Sequence, residues 1–179
     1  MEPQKRLKRE LTHKGKIINF YCDTLELENG KIVEFDFIGH NGAAAVLPVT
    51  DDDRILLVRQ YRNALDRFTL ELPAGGKNCV DEKGIDCAAR ELEEETGYYS
   101  DNLEWLITVN TTVAFCNEKI EIFLARDLKK SKQNLDEDEF VEVEAYSLDE
   151  LLVMIREGKI MDSKTAAAIL AYKEFYLKN

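Results

Sequence analysis

The sequence predicts a layered α/β domain, and three features of it carry that expectation. Short strand-like apolar runs follow one another from residue 43 to residue 146, and helical patterns cluster late, after residue 147. Between the strands, one segment (68–76) runs through two glycines into a helical pattern that stops at Gly97. Ahead of all this, residues 15–40 alternate apolar and polar around Asn29-Gly30, which is the signature of a tight antiparallel hairpin. A chain of 179 residues fits one domain with a sizeable core.

In chain order, the hairpin pairs Asp23–Leu27 with Lys31–Phe37. Ala43–Val49 is continuously apolar, a buried strand with Pro48 near its end. Asp51-Asp52-Asp53 reads as a hairpin tip rather than a metal site, and Arg54–Tyr61 as the returning strand. Leu103–Val109, Ile120–Ala125 and Val141–Tyr146 are further strands. Ser147-Leu148-Asp149-Glu150 is a capping box that opens a helix ending at Glu157 before Gly158. A last helix runs from Asp162 or Ser163 to Leu177, and its aromatic residues are expected in the core.

Composition narrows the functions open to the chain. A net charge of −11 lacks the basic footprint that non-specific nucleic-acid binding requires, while leaving room for a nucleotide substrate. Cys22, Cys79, Cys87 and Cys116 form no CxxC pair and read as free thiols in a reducing compartment. His13 and His40 are the only histidines, so a histidine-rich metal site or a Ser-His-Asp triad has little material. Met1–Glu10 is charged, unlike a signal peptide, and no run reaches the length of a membrane span. The expectation is a cytoplasmic protein without nucleic-acid or membrane partners.

The segment with the most chemical content is Gly76, Glu82, then Arg90-Glu91-Leu92-Glu93-Glu94-Glu95-Thr96-Gly97-Tyr98. At 3.6 residues per turn Glu91 and Glu95 are one turn apart with Glu94 beside them, so three carboxylates share a helix face. No cation belongs to that face, and like charges so close destabilise a helix unless a ligand compensates. Clustered carboxylate oxygens on a rigid element suit Mg²⁺ or Mn²⁺. An acidic run alone would read as a solvated face. The full spacing, Gly-x5-Glu-x7-Arg-Glu-apolar-x-Glu-Glu-x-Gly-apolar, is far too long a match for chance.

That spacing is the Nudix box, and the chain resembles the Nudix hydrolases, in particular their ADP-ribose pyrophosphatase branch. The resemblance implies the Nudix fold: a mixed sheet sandwiched by helices (α/β/α), with an N-terminal antiparallel sheet. Residues 1–42 would be dimerisation strands and 43–179 the hydrolase domain, in a homodimer. Metal would be held by Glu91, Glu94 and Glu95, with Arg90 orienting the carboxylates, Glu82 in a distant or structural role, and Gly76 and Gly97 as structural glycines. A backbone carbonyl beside the box would add a metal ligand; spacing points to Gly75 and local sequence to Ala74.

The resemblance also places substrate at Arg62, with Arg59, Glu71, Phe115 and Glu118 as further contacts. It puts a catalytic base and another metal carboxylate in Asp136-Glu137-Asp138-Glu139; Asp136 and Asp138 align, and Glu137 and Glu139 are neighbouring substitutes. The implied reaction is hydrolysis of ADP-ribose to AMP and ribose 5-phosphate. One departure concerns substrate: Thr112-Val113-Ala114-Phe115 stands where ADP-ribose-cleaving relatives commonly carry Ser-Pro-Gly-Phe. Another nucleoside diphosphate sugar, such as an ADP-sugar or GDP-mannose, is therefore an alternative, and a non-catalytic nucleotide-binding regulator a more distant one.

Overall fold

The computed structural model describes residues 4–16, 18–135 and 140–177. Three strands open the chain: β1 (Lys5–Lys14), β2 (Asn19–Glu26) and β3 (Ile32–Gly39). The body follows with β4 (Ala43–Pro48), β5 (Arg54–Arg62), a 3-10 turn (Asn63–Leu65), β6 (Arg67–Glu71), β7 (Ala74–Gly76) and α1 (Gly84–Thr96). Then come β8 (Tyr98–Tyr99), β9 (Asn102–Asn110), β10 (Lys119–Arg126), β11 (Lys129–Lys130), β12 (Val141–Ser147), α2 (Leu148–Arg156) and α3 (Ser163–Tyr176).

The central sheet has the order β7-β4-β10-β9 and is mixed, because β4 and β10 run parallel while the other pairs are antiparallel. β4 is buried on both faces, which is why its sequence is an unbroken apolar run rather than an alternation. Its period of two still sorts the side chains. Ala44 and Val46 meet Cys87, Ala88 and Leu92 of α1, whereas Ala43, Ala45 and Leu47 join the larger core. That larger core takes Ile55 and Leu57 from β5, Leu151 from α2, and Ala168, Ile169 and Tyr172 from α3. The antiparallel sheet β12-β5-β6 and the two late helices thus cover one face, and α1 the other.

Local signals in the sequence account for most ends of elements. Gly97 caps α1 with φ 69° and ψ 23°, a left-handed conformation that only glycine adopts without cost, and its N–H reaches the Glu93 carbonyl at 2.9 Å. Ser147 and Glu150 form the expected capping box on α2. Gly30 turns the β2–β3 hairpin with φ 77°.

β1 is a strand that the sequence did not announce. Every residue of it is exposed, and six of its ten residues are charged (Lys5, Arg6, Lys8, Arg9, Glu10, Lys14). What pairs it to β2 is a cross-strand contact: Arg9 donates to both oxygens of buried Asp23 at 2.6 and 2.5 Å and lies 3.6 Å over the Phe37 ring. The β1-β2-β3 sheet joins the body through the end of β3, where the Ile38 N–H donates to the Phe115 carbonyl at 2.7 Å. It leaves Leu7, Leu11, Ile32 and Phe35 about half exposed.

Candidate active site

The strand–loop–helix from β6 to α1 builds the site. β7 pairs with β4 through Ala44 opposite Gly75, and the small alanines let α1 lie close against the loop. As a result Glu91 and Glu95 are almost fully buried, while Glu94 is half-exposed. Glu95 accepts the Ala74 N–H at 3.0 Å. Glu91 fills the space where Gly75 has no side chain; a Cβ there would overlap its carboxylate. Gly76, by contrast, has open space around it. The glycine that contact with the helix demands is therefore Gly75, one residue ahead of the motif's first position.

One sequence expectation is corrected here. The carboxylate face does receive a cation, since Arg90 folds back over it and donates to Glu91 Oε1 at 2.6 Å and Glu94 Oε2 at 2.9 Å. It also donates to the Gly76 carbonyl at 3.2 Å, and its Nε lies 3.8 Å from Glu82. Spacing along the helix places Arg90 beside the face, and the length of its side chain carries the guanidinium onto it. Burial works against the Arg90 charge, but the Glu91 and Glu94 carboxylates raise its pKa further above the ordinary arginine value. Beneath them Cys87 faces the Gly75 and Gly76 carbonyls at 3.6 Å; burial pushes its thiol up to about 11, which favours the protonated form at neutral pH.

The donor set fits a hard divalent cation. It consists of oxygen ligands on one rigid helix turn beside a glycine backbone, with one arginine against Glu91 and Glu94 and the Ala74 N–H on Glu95. Among the described residues no three acidic, histidine or cysteine side chains come together as a group that could hold a metal ion by themselves.

Beside the box loop opens a cavity of about 430 Å³, lined among others by His40, Arg62, Glu71, Gly75, Glu118 and Lys164. Arg62, Glu71 and Glu118 were read from sequence and lie here together. Glu71 is buried and accepts from Arg62 Nε and Nη2 at 2.8 and 2.7 Å, from Thr69 Oγ1 at 2.6 Å and from Lys164 Nζ at 2.5 Å. Burial alone would raise its pKa, yet these donors hold it at about 2. Glu118 accepts from Thr111 at 2.7 Å and faces His40 Nε2 at 3.5 Å. The His40 ring is oriented by the Gly42 N–H, which donates to Nδ1 at 3.0 Å.

Two further candidates lie elsewhere in this chain. Arg59 pairs with Glu144 and lines a separate cavity with Phe68, Leu135 and Phe140. Phe115 lines a third, against Phe20, Tyr21, Phe35 and Ile38 of the N-terminal sheet. Asp136, Glu137, Asp138 and Glu139 lie outside the described residues. His40, Thr111, Asp162 and Lys164 are cavity residues that the sequence reading missed. Lys164 did leave a signal, because a lysine in the first turn of a helix opposes the helix dipole and needs an anion to hold it there.

The comparisons with known proteins decide the family. The model of the NUDIX domain matches residues 39–167. The chain is a Nudix protein. It is 40% identical to an ADP-ribose pyrophosphatase of Bacillus subtilis over 93% of this chain and 90% of that protein. It is also 40% identical, with the same coverage, to a methanol dehydrogenase activator of Bacillus methanolicus. The fold matches a crystal structure of an ADP compounds hydrolase with a TM-score of 0.86 at 21% identity, covering 98% of this chain and 95% of the other. Among the described residues, no helix is long and apolar enough to cross a membrane.

Proposed function

We propose that this Nudix protein hydrolyses the pyrophosphate bond of ADP-ribose, giving AMP and ribose 5-phosphate. The observation that carries the reading is the shared loop Ala74–Gly76, which forms both the backing of the box carboxylates and one wall of the polar cavity. A diphosphate bridging that loop would have its reacting phosphorus at the carboxylates and its sugar in the cavity. The equally similar dehydrogenase activator favours a second reading, action on a partner dehydrogenase.

Glu91, Glu94 and Glu95, with a backbone carbonyl of residue 74 or 75, would hold Mg²⁺ or Mn²⁺. Such ions, when bound, neutralise the diphosphate oxygens and make a coordinated water more acidic. The protein's own groups do the rest. Arg90 keeps the Glu91 and Glu94 carboxylates at fixed separation, and the Ala74 N–H orients Glu95. A carboxylate of Asp136–Glu139 takes the proton of the attacking water as its oxygen bonds to phosphorus. The bridging P–O bond breaks, and the leaving phosphate carries the second product away. Arg62 supplies a fixed guanidinium beside the sugar-phosphate end.

Residues 1–42 form the association surface of a cytoplasmic homodimer in this reading, with the half-exposed Leu7, Leu11, Ile32 and Phe35 turned to a second copy. The test incubates the purified chain with ADP-ribose, ADP-glucose or GDP-mannose plus Mg²⁺, beside an EDTA control. AMP and ribose 5-phosphate, formed fastest from ADP-ribose and lost with EDTA, are expected. Faster cleavage of another compound moves the substrate, and no turnover with stimulation of a dehydrogenase moves the function to the second reading. Light scattering on the same sample should give twice the chain's mass; a monomer overturns the dimer.

A further inference from the structure

The cavity beside the box loop holds a lysine in an unusual place. Lys164 is buried, and its ammonium commits two of its three N–H groups inside the protein, to Glu71 at 2.5 Å and to Asp162 at 3.0 Å. Lysine is seldom buried unless paired, and it stands here in the first turn of α3, against the helix dipole. Asp162 is the cap of that helix and accepts the Thr165 N–H at 3.0 Å, so the lysine's second anchor is itself fixed.

The Glu71 carboxylate shows what this arrangement does. A carboxylate offers about four lone-pair positions. Oε1 accepts from Arg62 Nε and Thr69 Oγ1, and Oε2 from Arg62 Nη2 and Lys164 Nζ. Four donors fill those positions, which leaves Glu71 no capacity for a substrate hydroxyl. Arg62 has five N–H groups and commits two to Glu71; its side chain is 41% exposed, on the cavity. The face that Glu71 supports is therefore a guanidinium, held by a carboxylate that is itself held from behind.

We propose that Lys164 is a positioning residue for substrate binding: by occupying the last acceptor position of Glu71 it locks the Arg62 guanidinium in the orientation that receives the phosphorylated sugar of the substrate. The inference rests on the proposed nucleoside diphosphate sugar hydrolysis, and Lys164 touches no reacting atom. It acts through Glu71 on Arg62, with Asp162 setting its own place. Because the contact to the sugar-phosphate is the same before and during bond cleavage, it governs KM rather than kcat.

The experiment measures steady-state kinetics for Lys164→Met, Lys164→Arg and Asp162→Asn, beside thermal melts of each. Lys164→Met should raise KM for ADP-ribose about tenfold with kcat changed less than about threefold. Lys164→Arg, which keeps a cation and its donors, should restore most of the affinity. Asp162→Asn keeps a helix-capping oxygen and serves if the methionine variant does not fold; it should raise KM about threefold. A lowered melting temperature with KM unchanged in all three overturns the proposal and leaves Lys164 a structural ion-pair partner. Should the wild type cleave a different nucleotide sugar, the same ratios are read on that compound, and only the substrate assignment fails. If it cleaves none, calorimetric binding of ADP-ribose reads the same affinity loss; a wild type that neither cleaves nor binds overturns both proposals.

Discussion

The α1 face behind the box loop and the cavity wall in front of it are built from the same parts in different proportion. On the α1 side, one arginine serves three carboxylates: Arg90 meets Glu82, Glu91 and Glu94. On the α3 side, Arg62 and Lys164 face Glu71 and Asp162, two cations for two anions. Both are partly buried, so the local charge balance matters more than it would in water. The balanced wall satisfies itself and can be rigid without help. One guanidinium shared among three carboxylates leaves the α1 side the more acidic of the two. The contrast separates a wall that would bind metal from a wall that shapes the substrate's seat.

The sharpest way to break that contrast is Glu95→Gln. Glu95 already has its backbone partner in Ala74, and glutamine keeps an oxygen for that N–H, so the fold should survive. The charge is what disappears. Turnover should fall on the order of a thousandfold while the melting temperature moves little. Turnover within about threefold of wild type would remove Glu95 from the metal site.

Neighbouring glycines sharpen the same comparison with a smaller effect. A methyl group at Gly75 would overlap the Glu91 carboxylate, which is the mobile end of its side chain and can retreat at little cost in stability. Retreat displaces a metal-facing oxygen, so Gly75→Ala should lower kcat about a hundredfold with stability changed by less than about 1 kcal/mol. Gly76→Ala meets nothing within 4 Å and should be near wild type. Equal effects at the two positions would show that the loop, not the carboxylate, is sensitive.

What the sequence made legible follows this physics. Periodicity and turn chemistry are local, so β4, the Asn29-Gly30 hairpin, the Ser147 capping box and the Gly97 cap could all be read in advance. The carboxylate face was legible because helix spacing fixes it. The return of Arg90 onto that face was not fully legible, because a long side chain reaches beyond the position of its Cα. Contacts across many residues were invisible: Lys164 to Glu71 spans 93 positions, and β1 depends on Arg9 finding Asp23 in the next strand. Arg59 and Arg62 stand three apart in one strand and so point to opposite faces, which places only one of them in the cavity beside the box.

The balanced wall has its own signature in acid. Glu71 ordinarily titrates near 4.5 and is held at about 2 in the folded chain. Its pKa is depressed, so the unfolded state takes up a proton that the folded state refuses. The stability it contributes is complete above about 4.5 and drains away as pH falls towards 2. The difference corresponds to about 3 kcal/mol at neutral pH. Other carboxylates that are paired in the fold, among them Asp23 and Glu121, weaken in acid as well, so total stability does not isolate the effect. The comparison that does is urea unfolding of wild type against Glu71→Gln across this range. The gap between the two should be widest near neutrality and close steadily below 4.5. A constant gap would mean that the Arg62, Thr69 and Lys164 donors stabilise Glu71 by shape and not by its charge.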